Sequence, residues 1–448
     1  MTYTFVRRLG QGGFGIVDEV MTDDFESFAR KSLQTDLEQR FPGVDQAQFK
    51  RRFQREVEYQ SRIDHPNVAK IVQSDLMADP PYYIMELAVG TLKDEIDNDR
   101  TLGGNPSKAL FDILSGLEAL HVRGIKHRDL KPENVLIFET NGTRRYAISD
   151  FGLITGEAGN TTTITASGAG GGTRNYAAPE CINNFHKATA QSDIYSFGAI
   201  LHDIFGGGNR RIPYNRLTVP DPTLAAIVER CTQTNPRRRY ESVSQLREDL
   251  YLALNREEIN FTSQEEAAVI ELLNGSETLN DEDWDRVCLC LEENEAAGTS
   301  NKNIFRALGI THLENLRQNS FPVFQAIGIM FCEYVNANES HFDFDYCDVL
   351  APKLKSFYQY GDIALQSMTL ISLMKLGASH NRWYVERMFW NLITSDQIPL
   401  GVVERFLMDI EVLEVQLNYY IEHICRSISV NINSLPPAVI EKIQRMGV

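Results

Sequence analysis

The sequence predicts an α+β domain, a strand-rich lobe followed by a helical lobe, and beyond it an all-α domain. Three observations carry this. Up to Met85 the chain alternates short strand-like runs with a single helical one. From about residue 106 the apolar spacing becomes helical. From residue 265 onward nearly every segment reads as amphipathic helix. The boundaries that follow are 1–254 for the first domain, with the lobes meeting at 87/88, a linker over 255–264, and 265–448 for the second domain.

Taken in order, "YTFVRRLGQGGFGIVDEV" predicts two strands around a glycine turn, and "ESFARKSL" a third. "QAQFKRRFQREVEYQSRI" predicts a helix with Phe49, Phe53, Val57 and Ile63 on its apolar face. "AKIVQSDL" and "PYYIMEL" are two further strands. "SKALFDILSGLEALHVRG" then puts Ala109, Leu110, Ile113, Leu114, Leu117 and Leu120 on one face of a helix, and "NVLIFETNGTRRYAISD" reads as strand–turn–strand. "TGEAGNTTTITASGAGGGT" (155–173) is polar and rich in Gly and Thr, the composition of a long functional or disordered loop. The helical segments after 265 have short polar breaks and no strict repeat. "GDIALQSMTLISLMKLGA" has the look of the inner helix of a HEAT-type pair, so a bundle and HEAT-like helical pairs both remain open.

Charge narrows the function classes. The net charge of −17 is unevenly spread: residues 1–255 hold 30 basic and 33 acidic side chains, residues 256–448 hold 14 and 28. The second domain therefore carries −14, which argues against a nucleic-acid partner and against docking on anionic lipid. Seven cysteines (181, 231, 288, 290, 332, 347, 425) lie scattered, without Cys-x-x-Cys spacing, as reduced core thiols would. "MTYTFVRRLG" lacks the apolar core of a signal peptide, and no uncharged apolar run reaches membrane-spanning length. The expectation is a cytoplasmic protein without a membrane segment, and with no regulatory extension ahead of the first strand at Tyr3.

The chemistry begins at the glycines. Gly10, Gly12 and Gly15 stand in G-x-G-x-x-G-x-V spacing with Val17, between two strands, where backbone N–H groups could approach phosphate oxygens. A dinucleotide-binding turn would need a helix straight after them, and a strand follows instead. Lys31 lies on the next strand, on the same face as Ala29, where an ammonium could hold a polyphosphate; Glu56 on the following helix is its natural partner. "IKHRDLKPENVLI" supplies what a phosphoryl transfer asks of a protein: Asp129 as base, Lys131 two residues on as a neutralising cation, and Asn134 as a hard oxygen ligand for Mg²⁺. Asp150 in "ISDFGL" supplies a carboxylate ligand, and a hairpin over the intervening strands would bring it to Asn134.

In this order and density the motifs resemble those of eukaryotic-type (Hanks-type) serine/threonine protein kinases over residues 1 to about 254. The resemblance implies a bilobal protein-kinase fold. Gly10, Gly12 and Gly15 would cover the phosphates and Lys31–Glu56 would form the ion pair. Met85 would sit behind the adenine and Glu86 to Ala88 would form the hinge. His127 to Asn134 would be the catalytic loop, and Asp150-Phe151-Gly152 would follow it. It further implies that "GTRNYAAPE" ends the activation segment, that Asp193 anchors the catalytic loop, and that Arg239 pairs with Glu180. The implied cofactors are ATP and Mg²⁺, with Mn²⁺ an alternative, and the implied substrates are proteins, since Lys131 goes with Ser/Thr kinases and the Ala-Pro-Glu ending with protein kinases. Arg30, where the family usually has an aliphatic residue, faces away from Lys31 and is expected to extend outward. Arg128, directly before Asp129, implies activation-loop phosphorylation, with Thr161, Thr162, Thr163, Thr165 and Ser167 as candidates. The rival class is a nucleotide-binding scaffold acting through its acidic helical domain, which is in either case the surface for a protein partner or regulator. That domain's histidines (312, 341, 380, 423) and its aromatics Phe331, Tyr334, Trp383, Phe389 and Trp390 read as structural, and "DEDWD" reads as a charged helix start.

Overall fold

The computed structural model describes residues 2–12, 14–37, 45–140, 142–151, 175–181, 188–207, 216–256 and 260–446. The chain divides into two compact units, Met1–Ala253 and Leu254–Val448.

The first unit opens with strands β1 (Tyr3–Gln11), β2 (Gly15–Thr22) and β3 (Ser27–Leu33), helix α1 (Gln46–Gln60), and strands β4 (Ile71–Asp75) and β5 (Tyr82–Glu86). The five strands form an antiparallel sheet in the order β1-β2-β3-β5-β4. Alternation along β3 sends Ala29 and Leu33 into the core. There they meet Phe49, Phe53 and Val57, which the i, i+4 spacing of α1 puts on one face, together with Tyr83 and Met85 of β5. The Asp45 side chain caps α1 by accepting from Ala47 N–H. The helix stops at Gln60, so Ile63 is buried in the turn beyond it rather than on the helix face. Arg30 does not extend outward. Its Nη2 lies 3.5 Å from Oδ2 of Asp18, its cross-strand partner on β2, whose Oδ1 also accepts from Arg8 Nε at 3.1 Å. A buried carboxylate held by two guanidiniums explains the cation in an aliphatic place.

The second lobe follows with β6 (Gly90–Thr91), α2 (Leu92–Asn98), α3 (Ser107–His121), β7 (Val135–Thr140), β8 (Thr143–Ile148), α4 (Ala190–Phe205), α5 (Pro222–Cys231) and α6 (Val243–Leu254). β6, β7 and β8 form a small antiparallel sheet. Helix α3 is buried on more than one face: Phe111, Asp112, Ser115 and Gly116 are covered as well as the predicted apolar stripe.

The second unit is all helical: α7 (Gln264–Gly275), α8 (Asp281–Ala296), α9 (Lys302–Ala307), α10 (Ile310–Asn319), α11 (Phe321–Ala337), α12 (Phe344–Tyr360), α13 (Ile363–His380), α14 (Trp383–Ile393), α15 (Leu400–Val412), α16 (Leu417–Ser427) and α17 (Pro437–Met446). The helices bundle around α13, which packs against α11, α12, α14, α15 and α16 and is apolar around most of its circumference. "DEDWD" opens α8, where Asn280 and Asp283 form a capping box. Phe331, Phe389 and Trp390 are core, whereas Tyr334 and Trp383 are half-buried. His312 and His380 are buried with ring nitrogens on backbone carbonyls. All seven cysteines are free thiols. Among the described residues, no helix is long and apolar enough to cross a membrane.

Candidate active site

The site is assembled at the ends of strands. Lys31 leaves β3 from the face that carries Ala29, and its Nζ donates to Glu56 Oε1 on α1 at 2.8 Å and to Asp150 Oδ1 at 2.7 Å. Burial opposes a charged Lys31, but Asp150 and Glu56 outweigh it, so the ammonium keeps its proton well beyond the usual lysine range. Glu56 is pushed up by burial, with Lys31 opposing. Asp150 is held below the usual carboxylate range: enclosure works against its charge, and Lys31, Lys131 and His127 more than offset that.

Gly15 is explained by this lysine. A Cβ at Gly15 would stand 3.0 Å from Lys31 Cε and 3.4 Å from its Cγ, so the strand leaves room for the stem by omitting a side chain. Gly12 N–H donates to Gly15 O at 2.9 Å, closing the turn. Gly10 pairs with Val17 across β1 and β2, and Val17 with Lys31 across β2 and β3. Sequence reading missed Gln34, which is almost fully buried and donates from Nε2 to Gly12 O at 2.6 Å and to Gly15 O at 3.2 Å. A long amide just past the end of β3, where the strand passes under the glycine turn, was the available signal.

Ala29 and Met85 are a cross-strand pair in the core. Glu86 follows, its carboxylate 2.6 Å from Arg145 Nη2 on β8. Ala88 is half-buried, and Val89 N–H donates to Ile137 O, so the chain leaves β5 and enters the small sheet directly.

The loop after α3 is held from below. Asp193, fully buried on the first turn of α4, accepts from the backbone N–H groups of His127 at 2.9 Å and Arg128 at 2.8 Å, and its Oδ2 lies 2.8 Å from His121 Nε2. These bonds support Arg128 in a left-handed conformation (φ 68°), which is costly for a residue with a Cβ. His127 is fully buried with its ring edge-on to Phe151 at 5.4 Å, and burial pushes its pKa down. Sequence reading assigned nothing to His121, which closes α3 just before the loop. Above this anchor, Asp129 Oδ2 accepts from Lys131 Nζ at 2.8 Å and Asn134 Nδ2 at 3.1 Å, and Asn134 Nδ2 also donates to Asp129 O at 2.8 Å.

The β7–β8 hairpin brings the two halves together. Val135 pairs with Ile148, and Ser149 donates to Asn134 O from its N–H (2.8 Å) and its hydroxyl (3.2 Å). Asn134 spends its amide hydrogens on Asp129, and Asp150 offers one carboxylate oxygen to Lys31. An amide oxygen and a second carboxylate oxygen are thereby left for a hard divalent cation. Among the described residues no cluster of three His, Cys, Asp or Glu could hold a metal alone. A cation here would share its shell with phosphate and water, as Mg²⁺ does.

Below the site, Glu180 and Arg239 form a two-pronged pair (2.7 and 2.8 Å), with Arg239 also donating to Gln191 O and Gln233 O. Gly152 and the hydroxyl candidates Thr161, Thr162, Thr163, Thr165 and Ser167 lie outside the described residues.

A family model for the protein kinase domain matches residues 3–249. The chain belongs to the protein kinase family. Its kinase domain is similar to serine/threonine-protein kinase PrkC of Bacillus subtilis, 30% identical over 295 residues, covering 59% of this chain and 43% of that protein. It is 31% identical over 216 residues to a probable serine/threonine-protein kinase, pknA2, of Bifidobacterium longum (48% and 27% covered). It is 29% identical over 268 residues to serine/threonine-protein kinase PknB of Mycolicibacterium smegmatis (53% and 41% covered). The matched part spans less than half the length of each of these relatives. The protein kinase family uses ATP and a divalent metal, generally Mg²⁺.

Proposed function

We propose that this chain is an ATP-dependent serine/threonine protein kinase that transfers the γ-phosphoryl group of ATP to Ser and Thr hydroxyls of proteins. The observation that supports this best is the meeting, at the ends of one hairpin, of Asp129–Lys131–Asn134 with Lys31–Glu56–Asp150. In this reading Asp129 accepts the proton of the attacking hydroxyl, and Lys131 balances charge developing on the phosphoryl oxygens. Lys31, fixed by Glu56, binds nucleotide phosphates under the turn of Gly10, Gly12 and Gly15. Val17, Ala29 and Met85 line the base site, and Glu86 to Ala88 offer it backbone hydrogen bonds. Asn134 and Asp150 would hold Mg²⁺, or Mn²⁺ in its place, which when bound would supply positive charge to offset that of the phosphate oxygens. A scaffold that merely bound nucleotide would have no use for the Asp129–Lys131–Asn134 contacts.

The same proposal assigns 1–254 to the kinase domain and 265–448 to an acidic helical domain that engages a protein partner or regulator. It places the protein in the cytoplasm, acting on neither nucleic acid nor membrane. It includes autophosphorylation among Thr161, Thr162, Thr163, Thr165 and Ser167, on the strength of the sequence alone. Phosphosite mass spectrometry of cells carrying the intact protein or its Asp129→Ala form tests both parts: sites on other proteins and in the 161–167 segment should vanish together in the variant. An unchanged phosphosite map would overturn the reading.

A further inference from the structure

Tyr83 lies wholly buried on β5, beside the Lys31–Glu56 pair, and none of the roles above uses it. A buried phenol normally finds a hydrogen-bond partner. Here its hydroxyl donates to Glu56 Oε1 at 3.3 Å, the same oxygen that accepts from Lys31. The ring packs against Phe53 with centroids 5.5 Å apart. Phe53 and Glu56 are three residues apart on α1, so one side chain engages two neighbouring positions of that helix. Tyr83 is also the cross-strand partner of Lys31, whose Nζ stands 5.7 Å from the ring centre. The hydroxyl thus sits at the ion pair itself, within hydrogen-bonding range of Glu56 and of Lys31.

Resting on the kinase reading, we propose that Tyr83 is a positioning residue for phosphoryl transfer, fixing from β5 the rotamer of Glu56 and, through it, the aim of the Lys31 ammonium at the nucleotide phosphates. Three groups face the Glu56 carboxylate: Lys31 from β3, Tyr83 from β5 and Asp150 from the end of the β7–β8 hairpin. Glu56 Oε1 accepts from both Lys31 and the Tyr83 hydroxyl. Without that hydroxyl the carboxylate is held by Lys31 alone and can turn about its side-chain torsions, carrying the ammonium out of line with the phosphates.

The test is Mg·ATP affinity of the full chain, measured by titration calorimetry at neutral pH, together with KM for ATP and kcat for transfer to a Ser/Thr peptide pool, for wild type, Tyr83→Phe, Glu56→Gln and the double variant. Tyr83→Phe keeps the ring and its contact with Phe53. The expected result is affinity weakened about three- to tenfold, the worth of a hydrogen bond to a charged group after partial relaxation, with KM for ATP raised by the same factor. In the Glu56→Gln background Tyr83→Phe should have no further effect, because the hydroxyl acts through Glu56. Equal affinities and equal KM for ATP in wild type and Tyr83→Phe would overturn the proposal. So would an undiminished effect in the Glu56→Gln background, which would show that the hydroxyl acts by a route other than Glu56. A wild type that binds Mg·ATP but transfers nothing to protein would sink the kinase reading while leaving the affinity data to decide Tyr83. A wild type that binds no nucleotide would sink both.

Discussion

Replacing Arg239 with alanine removes one guanidinium from the helical lobe and leaves the Glu180 carboxylate behind. The Arg239 side chain has no solvent exposure and that of Glu180 only 14%. The guanidinium donates to both Glu180 oxygens and to three backbone carbonyls, and it lies 5.0 Å from the ring centre of Tyr195. Ser192 Oγ, at 2.9 Å, would remain on Glu180, and water could not replace the rest in place. Breaking a buried pair by deleting one partner costs about 3–5 kcal/mol, against at most about 1 for a surface pair. In a unit of this size each kcal/mol moves Tm by about 2–4 °C, so the expected drop is about 6–20 °C. The tryptophans make the assay selective: Trp284, Trp383 and Trp390 all lie in the second unit. Circular dichroism follows both units, and tryptophan fluorescence follows the second alone. Arg239→Ala should lower a dichroism transition and leave the fluorescence transition in place. A dichroism Tm within about 2 °C of wild type would refute the energetic reasoning, and a matching drop in the fluorescence transition would refute separate unfolding. The pair also predicts a sign with pH. Partial burial works against the Glu180 charge, yet Arg239 and Ser192 hold its carboxyl below the usual range. Its stabilisation is therefore full above the unfolded carboxylate pKa and is lost as pH falls through the folded one, so wild type and variant should converge in acid.

Other predictions follow from single contacts. Gly15→Ala sets a methyl 3.0 Å from Lys31 Cε; the displaced stem, at about 1 kcal/mol for an off-rotamer side chain, should weaken Mg·ATP binding about fivefold in calorimetry with little change in Tm. In the second unit, burial pushes the Glu386 carboxyl up to about 7. A raised folded pKa means that stability is present below the unfolded value and lost as pH rises through about 7, so the fluorescence transition should fall between about pH 5 and 8, and Glu386→Gln should flatten that dependence. A fragment of residues 1–260 should fold alone and bind Mg·ATP; a folded fragment unable to bind nucleotide would mean that the helical unit completes the site.

The fold class was legible because period-two alternation in β3 and the i, i+4 spacing of Phe49, Phe53 and Val57 both answer to one core. The meeting of Lys31 with Glu56, and of Asn134 with the end of β8, follows from strand and hairpin geometry that the sequence states locally. What stayed hidden depends on contacts between distant segments. Gln34 is an unremarkable amide until the glycine turn folds over it. Asp18 explains Arg30 only once β2 and β3 are in register. The hydroxyl of Tyr83 means nothing until α1 presents Glu56 to it. Helix α2, seven residues long, is too short to show a period and is set by its Thr91–Asp94 capping box. The burial of α3 on several faces is invisible to a one-stripe reading, because Asp112 and Ser115 are polar residues that find partners inside.

The central claim is that Asp129 takes the proton in a phosphoryl transfer whose nucleotide is held by other groups. Its most direct test is a pair of measurements on pure full-length Asp129→Ala: Mg·ATP affinity by calorimetry, and transfer of labelled γ-phosphoryl to the chain itself and to a mixed Ser/Thr peptide pool. The account predicts near wild-type affinity with transfer reduced about 10²- to 10⁴-fold, the usual loss for a general base. Transfer at the wild-type rate by that variant would contradict it.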